Sequence, residues 1–301
     1  VREHAEYRGL SLLTGAAVLV AACAAPTEVA DERSVERREL FAAWSTGPSQ
    51  FKAQAERLEE DAELARLWAE DLVVVMIASY RGDGVAAIGE QHGSFERARR
   101  ALLEMGDVAV GPLVELVLVG NEVGAKLASD LLIEGGERSA ASMLAGAMGG
   151  APTRARLRGL TALAGLSYAG AGAEEAVLER LYSTLDEDLD WICRAQAATS
   201  LVARADAAGA VERVRGALTR GLGDSEFKVQ GACCVALRQL GDVRAVPALI
   251  NYLDRLVRRG AGLDQLRAAQ GALMGLTGTR RELAPAEWRA LSFNQRESKG
   301  G

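Results

Sequence analysis

Apolar residues along this chain recur at helical spacing, in stripes interrupted by glycine-bearing turns. From residue 94 onward the pattern predicts a succession of short helices. FERARRALLEM follows Ser94, a good N-cap, and stops at Gly106. Asp107 opens the next helix, which carries Pro112 in its first turns. VGAKLASDLLIE ends at Gly135-Gly136, and TRARLRGLTALAGL runs into a Gly-rich turn around Gly170. WICRAQAATSLVARA closes at Ala205-Asp206, KVQGACCVALRQL at Gly241-Asp242, and LRAAQGALMGL at Thr277-Gly278. Closures at 106, 135, 170, 205, 241 and 277 are 29, 35, 35, 36 and 36 residues apart. A drifting period in the thirties fits stacked helix pairs and not a coiled coil, whose heptads would have to persist across the intervening glycines.

The repeat is also written in identities. Ala101–Pro112, ALLEMGDVAVGP, returns as Ala236–Pro247, ALRQLGDVRAVP, with the shared skeleton A-L-x-x-x-G-D-V-x-x-x-P. Ala198, Leu201 and Ala205 lie 36 residues before Cys234, Leu237 and Gly241, and Ala236, Leu237 and Leu240 lie 36 before Ala272, Leu273 and Leu276. Such i, i+1, i+4 sets bury one stripe of a helix. Small residues at 197, 198, 232, 268 and 269 let neighbouring helices approach closely. Upstream, Glu56–Tyr80 predicts one long helix or two in line, charged at its start and apolar over Leu72–Ala78.

Asp224 with Val229, then Ala236-Leu237, Gly241-Asp242-Val243 and Ala245-Val246-Pro247-Ala248-Leu249, resemble a HEAT repeat of the short bacterial type. The arginine that follows the valine in such repeats is Arg194 in one copy and Gln230 in another. The resemblance covers about residues 94–278. LTGTRRELAPAEWRAL resembles the close of many bacterial HEAT proteins, which implies a last helix starting at Pro285 and Trp288 plugging the final repeat. The fold this implies is all-α, a right-handed α-solenoid of HEAT-like helix hairpins with an N-terminal helical cap.

The first residues have a different character. Arg2 and Arg8 precede the apolar run Leu10–Ala22, which is short for a bilayer span and suits a signal-peptide core. The run ends in Val20-Ala21-Ala22-Cys23, which resembles a bacterial lipobox. By that resemblance Cys23 is lipidated after cleavage behind Ala22. Ala24 in place of an aspartate favours the outer membrane, where the cell has one. The expected divisions are a leader (1–22), a polar tether (23–38), an N-terminal helical cap (39–93), the repeats (94–278), and a C-terminal cap and tail (279–301).

Composition narrows the function. The net charge is −6, which argues against a general nucleic-acid partner. Two histidines, His4 and His92, leave one imidazole after leader removal, in the stretch GEQHGS read as a loop. Cys193, Cys233 and Cys234 lack zinc-ligand spacing and read as buried small side chains, with a bridge from Cys193 to either of the pair left open. The run DEDLD at 186–190 reads as an acidic helix start without the ligand pattern of a calcium loop. No catalytic, metal or cofactor site is expected. The expected role is a non-catalytic scaffold in the bacterial envelope, held to the membrane by its lipid. Its partner would be a protein or acidic peptide segment on the concave face. Arg100, Lys126, Arg156, Arg194, Lys228 and Arg267 are the candidate contacts; Arg154, Arg156 and Arg158 alternate along one helix and cannot share a face. Two other readings stay open: a lyase-like or enzyme-associated HEAT protein, and a soluble cytosolic adaptor.

Overall fold

The computed structural model describes residues 32–47, 51, 56–80, 90–166, 170–206 and 209–297. The leader, Cys23 and most of the tether lie outside the described residues. Within them the chain is all-helical, with no strand. Its contacts divide it into two units: the described residues up to Leu116 together with Asn121–Gly135, and Val117–Gly120 together with the residues from Gly136 on.

The first unit contains α1 (Glu32–Thr46), α2 (Ala62–Ser79), α3 (Glu90–Glu104), most of α4 (Asp107–Val119), and α5 (Glu122–Gly135). The Glu56–Tyr80 pattern breaks at Asp61, whose extended backbone and side-chain bond to the Leu64 N–H (3.0 Å) cap α2. The apolar run is helical, with Leu72, Val73, Val75 and Met76 buried. Trp44 meets Trp68 edge-on at 6.1 Å, and Arg37 forks onto Asp71, joining α1 to α2. α3 starts at Glu90, four residues before the expected cap, so Ser94 lies inside the helix and His92 lies in its first turn, not in a loop.

The repeated skeleton recurs as a conformation. Gly106 and Gly241 both take left-handed backbone, with φ of 55° and 71°, and so end the helix before them. Asp242 then accepts from the Arg244 N–H at 3.0 Å, opening a 3-10 turn over Val243–Ala245.

The second unit is two layers of helices. One consists of α7 (Thr153–Leu163), α9 (Trp191–Ala205), α11 (Phe227–Leu240) and α13 (Leu263–Thr277), each packed on the next. The other contains α6 (Arg138–Ala147), α8 (Ala171–Glu187), α10 (Val211–Gly221), α12 (Val246–Arg258) and α14 (Pro285–Glu297); α6 packs on α8, α8 on α10, and α12 on α14. α7 and α9 run parallel: Ser200 Oγ donates to the Leu160 carbonyl (2.6 Å), and Arg204 Nη1 to that of Leu163 (2.7 Å). Leu201, Leu237 and Leu273 are fully buried, as their 36-residue register requires, and so are Ala197, Ala198 and Ala269. Ala232 and Ala268 are only half-buried, at the margin of the contact.

Three glycines act as notches. A Cβ on Gly159 of α7 would collide with the Met148 thioether, one on Gly221 of α10 with the Cys233 sulfur, and one on Gly275 of α13 with the stem of Arg238. At the end of the array α14 starts at Pro285, as expected. Trp288 is fully buried there, its Nε1 donating to Gln270 Oε1 at 2.9 Å. No described helix is long and apolar enough to cross a membrane.

Candidate functional site

Polar side chains stitch the parallel layer together at one end. Arg156 and Arg194 are each the fourth residue of their helices, α7 and α9. Arg156 Nε and Nη2 donate to the two carboxylate oxygens of Asp188, both at 2.8 Å. One repeat later, Arg194 does the same to Asp224, at 2.8 and 2.9 Å. These are bidentate, charge-assisted pairs. Arg194 Nη1 also donates to the Asp188 carbonyl at 2.7 Å, so Asp188 receives one arginine on its carboxylate and the next on its backbone. Each aspartate further accepts the N–H two residues on, from Asp190 (2.9 Å) and Glu226 (2.7 Å). The result is a continuous ladder from α7 to α11.

The ladder's last rung differs. Gln230, the fourth residue of α11, donates through Nε2 to the Asp224 carbonyl. Its Oε1 accepts from Tyr252 Oη at 2.8 Å and Arg259 Nη2 at 3.3 Å. Thirty-six residues beyond Asp224 stands Gly260, so the next joint offers no carboxylate at that register. An arginine at 230 would bring a charge to a rung without its acid.

Burial pushes the Asp188 carboxyl up, but the Arg156 guanidinium, the Asp190 N–H and the charge of Arg194 outweigh it and hold it below the usual carboxylate range. Asp224 is likewise lifted by burial and, more strongly, lowered by Arg194 and the Glu226 N–H. Carboxylates depressed in the folded state stabilise it fully above the ordinary carboxylate pKa of about 3.9, and that support is lost as pH falls through their lower folded values. The melting temperature is expected to fall steeply below about pH 4. In the Asp188→Asn/Asp224→Asn protein it should start lower and decline less over the same range. Equal declines in thermal melts of both proteins would mean that the ladder does not carry the acid sensitivity.

The six candidate contacts fall in both units, and Arg156 and Arg194 among them are not exposed. Arg100 and Lys126 are exposed in the first unit, Lys126 pairing with Asp130 at 2.7 Å. The other four belong to the second unit. Arg156 and Arg194 are the ladder arginines, Lys228 sits 4.4 Å over the Trp191 ring, and Arg267 is exposed. Arg158, one of the three alternating arginines, donates to the Gly120 carbonyl at 2.6 Å, and Arg154 is exposed.

Several polar features differ from the sequence reading. The DEDLD run does not open a helix: Asp186 and Glu187 end α8, and the rest forms the joint before α9. Arg204 and Glu174, 3% and 1% exposed, form a buried forked ion pair between α9 and α8. Only a charged residue within an Ala-rich buried stripe hinted at Arg204. Cys193, Cys233 and Cys234 are free and fully buried, and burial pushes the thiols up, that of Cys234 to about 12. Among the described residues no group of His, Cys, Asp and Glu is arranged to hold a metal ion.

No family model matches the chain, and no curated protein matches it. Among solved structures, an engineered protein from the Northeast Structural Genomics Consortium aligns at 19% identity with a TM-score of 0.41, covering 72% of this chain and 92% of that one. A likeness at that level carries no argument about function.

Proposed function

We propose that the chain is a HEAT-like, right-handed α-solenoid that serves as a non-catalytic interaction scaffold, lipid-anchored through Cys23 in a bacterial envelope. The observation that supports the scaffold reading most is the parallel layer α7–α9–α11–α13. Each helix packs on its equivalent one repeat away, and the layer keeps an exposed face bearing Arg154, Thr199, Val235, Arg238 and Arg267. A repeating face of that kind suits an extended partner. Its exposed arginines suit an acidic segment. Arg156 and Arg194 then serve the scaffold and not the partner, so reversing their charge tests the fold.

The anchor rests on the Val20–Cys23 motif alone. A triacylated cysteine buries enough methylene groups to hold the protein on a bilayer without a spanning helix. Palmitate labelling of the full chain in a bacterial host, with membrane fractionation, tests it. Label and membrane residence are expected in the wild type and lost in Cys23→Ala. Absence of label from both would overturn the anchor and leave the interaction reading to stand by itself.

A further inference from the structure

The parallel layer of the second unit is set apart by the sign of its charge. In a chain of net charge −6, helices α7, α9, α11 and α13 carry eight cations and a single acid, Asp264. Arg156 and Arg194 are held by the ladder, Arg204 by Glu174, and Arg158 by the Gly120 carbonyl. The other four, Arg154, Lys228, Arg238 and Arg267, are exposed. Arg238 and Arg267 meet no acid among the described residues. Arg238 lays its stem over Gly275 of α13 and so stands at the seam between α11 and α13. Between the two arginines the face is low and apolar: Val235 is exposed there, and a Cβ on Gly231 or Gly271 would meet nothing. The acids at the margins are Glu226, beside Lys228, and Asp264, one turn before Arg267; Asp206 and Glu282 follow α9 and α13.

The first unit has the opposite sign. Its described residues include 18 acids against nine arginines and lysines. The excess gathers over residues 56–63, where five of eight positions are Glu or Asp. Residues 56–60 are helical, so Glu56, Glu59 and Glu60, spaced i, i+3, i+4, share one face. All three are exposed and meet no cation among the described residues. The cations beside them are engaged elsewhere: Arg57 with Glu36 and Glu39, Arg33 with Asp61, and Arg66 with Glu63 and Glu70.

We propose that the basic face of one copy receives the acidic 56–63 stretch of a second copy, so that copies join head to tail. This rests on the reading of that layer as the interaction surface and names its occupant. An isologous contact requires a surface complementary to itself. Two basic faces do not meet that condition, because Arg238 and Arg267 would oppose their like, and neither do two acidic stretches. Each surface needs the other, and one chain carries both. A contact between unlike surfaces leaves one free end of each kind, so it propagates instead of closing at two copies. Arg238 and Arg267 then face Glu56, Glu59 and Glu60, with Val235 and the two glycines between them allowing close approach. A contact built on exposed charges is steered by their attraction and weakened by salt.

The test is the mass of the full chain in mild non-ionic detergent, by light scattering over a concentration series. In ~0.05 M salt the mass is expected to climb past the dimer, and at ~0.5 M association should weaken at least ~10-fold. Arg238→Glu/Arg267→Glu and Glu56→Lys/Glu59→Lys/Glu60→Lys should each stay monomeric with unchanged circular dichroism. Mixed in equal amounts they should associate again, because every reversed surface then meets one of opposite sign. A labelled hexaglutamate peptide separates the occupant from the face: the wild type and the lysine variant should bind it, and the glutamate variant should not. A wild type monomeric at every concentration, a mass that stops at the dimer, an assembly indifferent to both sets of reversals, or a mixture no better associated than its components would each overturn the second copy as occupant. Peptide binding that depends on Arg238 and Arg267 would in that case leave the acidic-segment reading standing, and its absence would remove that reading as well.

Discussion

Replacing Glu174 by leucine is expected to lower the unfolding free energy by about 3–5 kcal/mol, because the change leaves the Arg204 guanidinium charged, buried and without its acid. The two side chains are almost wholly removed from solvent. Arg204 forks onto both Glu174 oxygens, and its Nη1 donates to the Leu163 and Leu166 carbonyls. The arrangement ties α8, α9 and the end of α7 at one point. Desolvation of two ions offsets much of their attraction, so the pair's net contribution is far smaller than the effect of breaking it. The double variant Glu174→Leu/Arg204→Met should therefore recover most of the loss, the residue being the two carbonyls that lose their donor. Urea unfolding of the three variants measures this. A loss under about 1 kcal/mol in the single variant would place the pair in the class of solvent-screened bridges and refute the argument.

The second large effect is expected at Trp288. Truncation to alanine should cost about 3–5 kcal/mol, the range for a buried large aromatic side chain. It also removes the donor to Gln270, whose amide bonds the Leu283 carbonyl and so fixes the approach to α14. The damage should begin locally, since α14 is the last helix of its layer and packs on α12. Hydrogen exchange should show α14 losing protection before α9 or α11. Trp288→Phe should lie between the wild type and alanine, keeping most of the apolar contact but not the hydrogen bond. Equal protection of α14 in the wild type and Trp288→Ala would show that the indole does not hold the end of the array.

Helix positions were legible because the signals were local and redundant. WICRAQAATSLVARA was bounded to the residue as α9, and the stops at Gly106 and Gly241 followed from glycine, whose backbone enters the left-handed region without a Cβ penalty. The α3 start was misplaced because Ser94 is a competent cap, yet the helix continues four residues upstream of it. The polar framework was less legible. Composition showed arginines and acids in plenty, but pairing is a matter of three dimensions. Nothing in DEDLD marks Asp188 as the carboxylate that Arg156 reaches 32 residues away. Arg194 and Gln230 were visible as a broken repeat; that Gly260 removes the acid at the same step emerged once the ladder's register was known. Arg156 and Arg194, read as partner contacts, were legible as charges and not as structural ties.

The glycine notches have a consequence for the order of the chain. Gly159 receives a thioether, Gly221 a thiol and Gly275 an aliphatic guanidinium stem. Each seam is thus keyed to a different shape and volume, although the helices share one period. A segment transplanted from one position to another would bring a mismatched knob to a recess cut for something else. Sliding the array by one period would do the same at several seams together. This protein is accordingly a fixed sentence and not a string of interchangeable beads: its periodicity builds the layers, and its departures from periodicity dictate which module stands beside which.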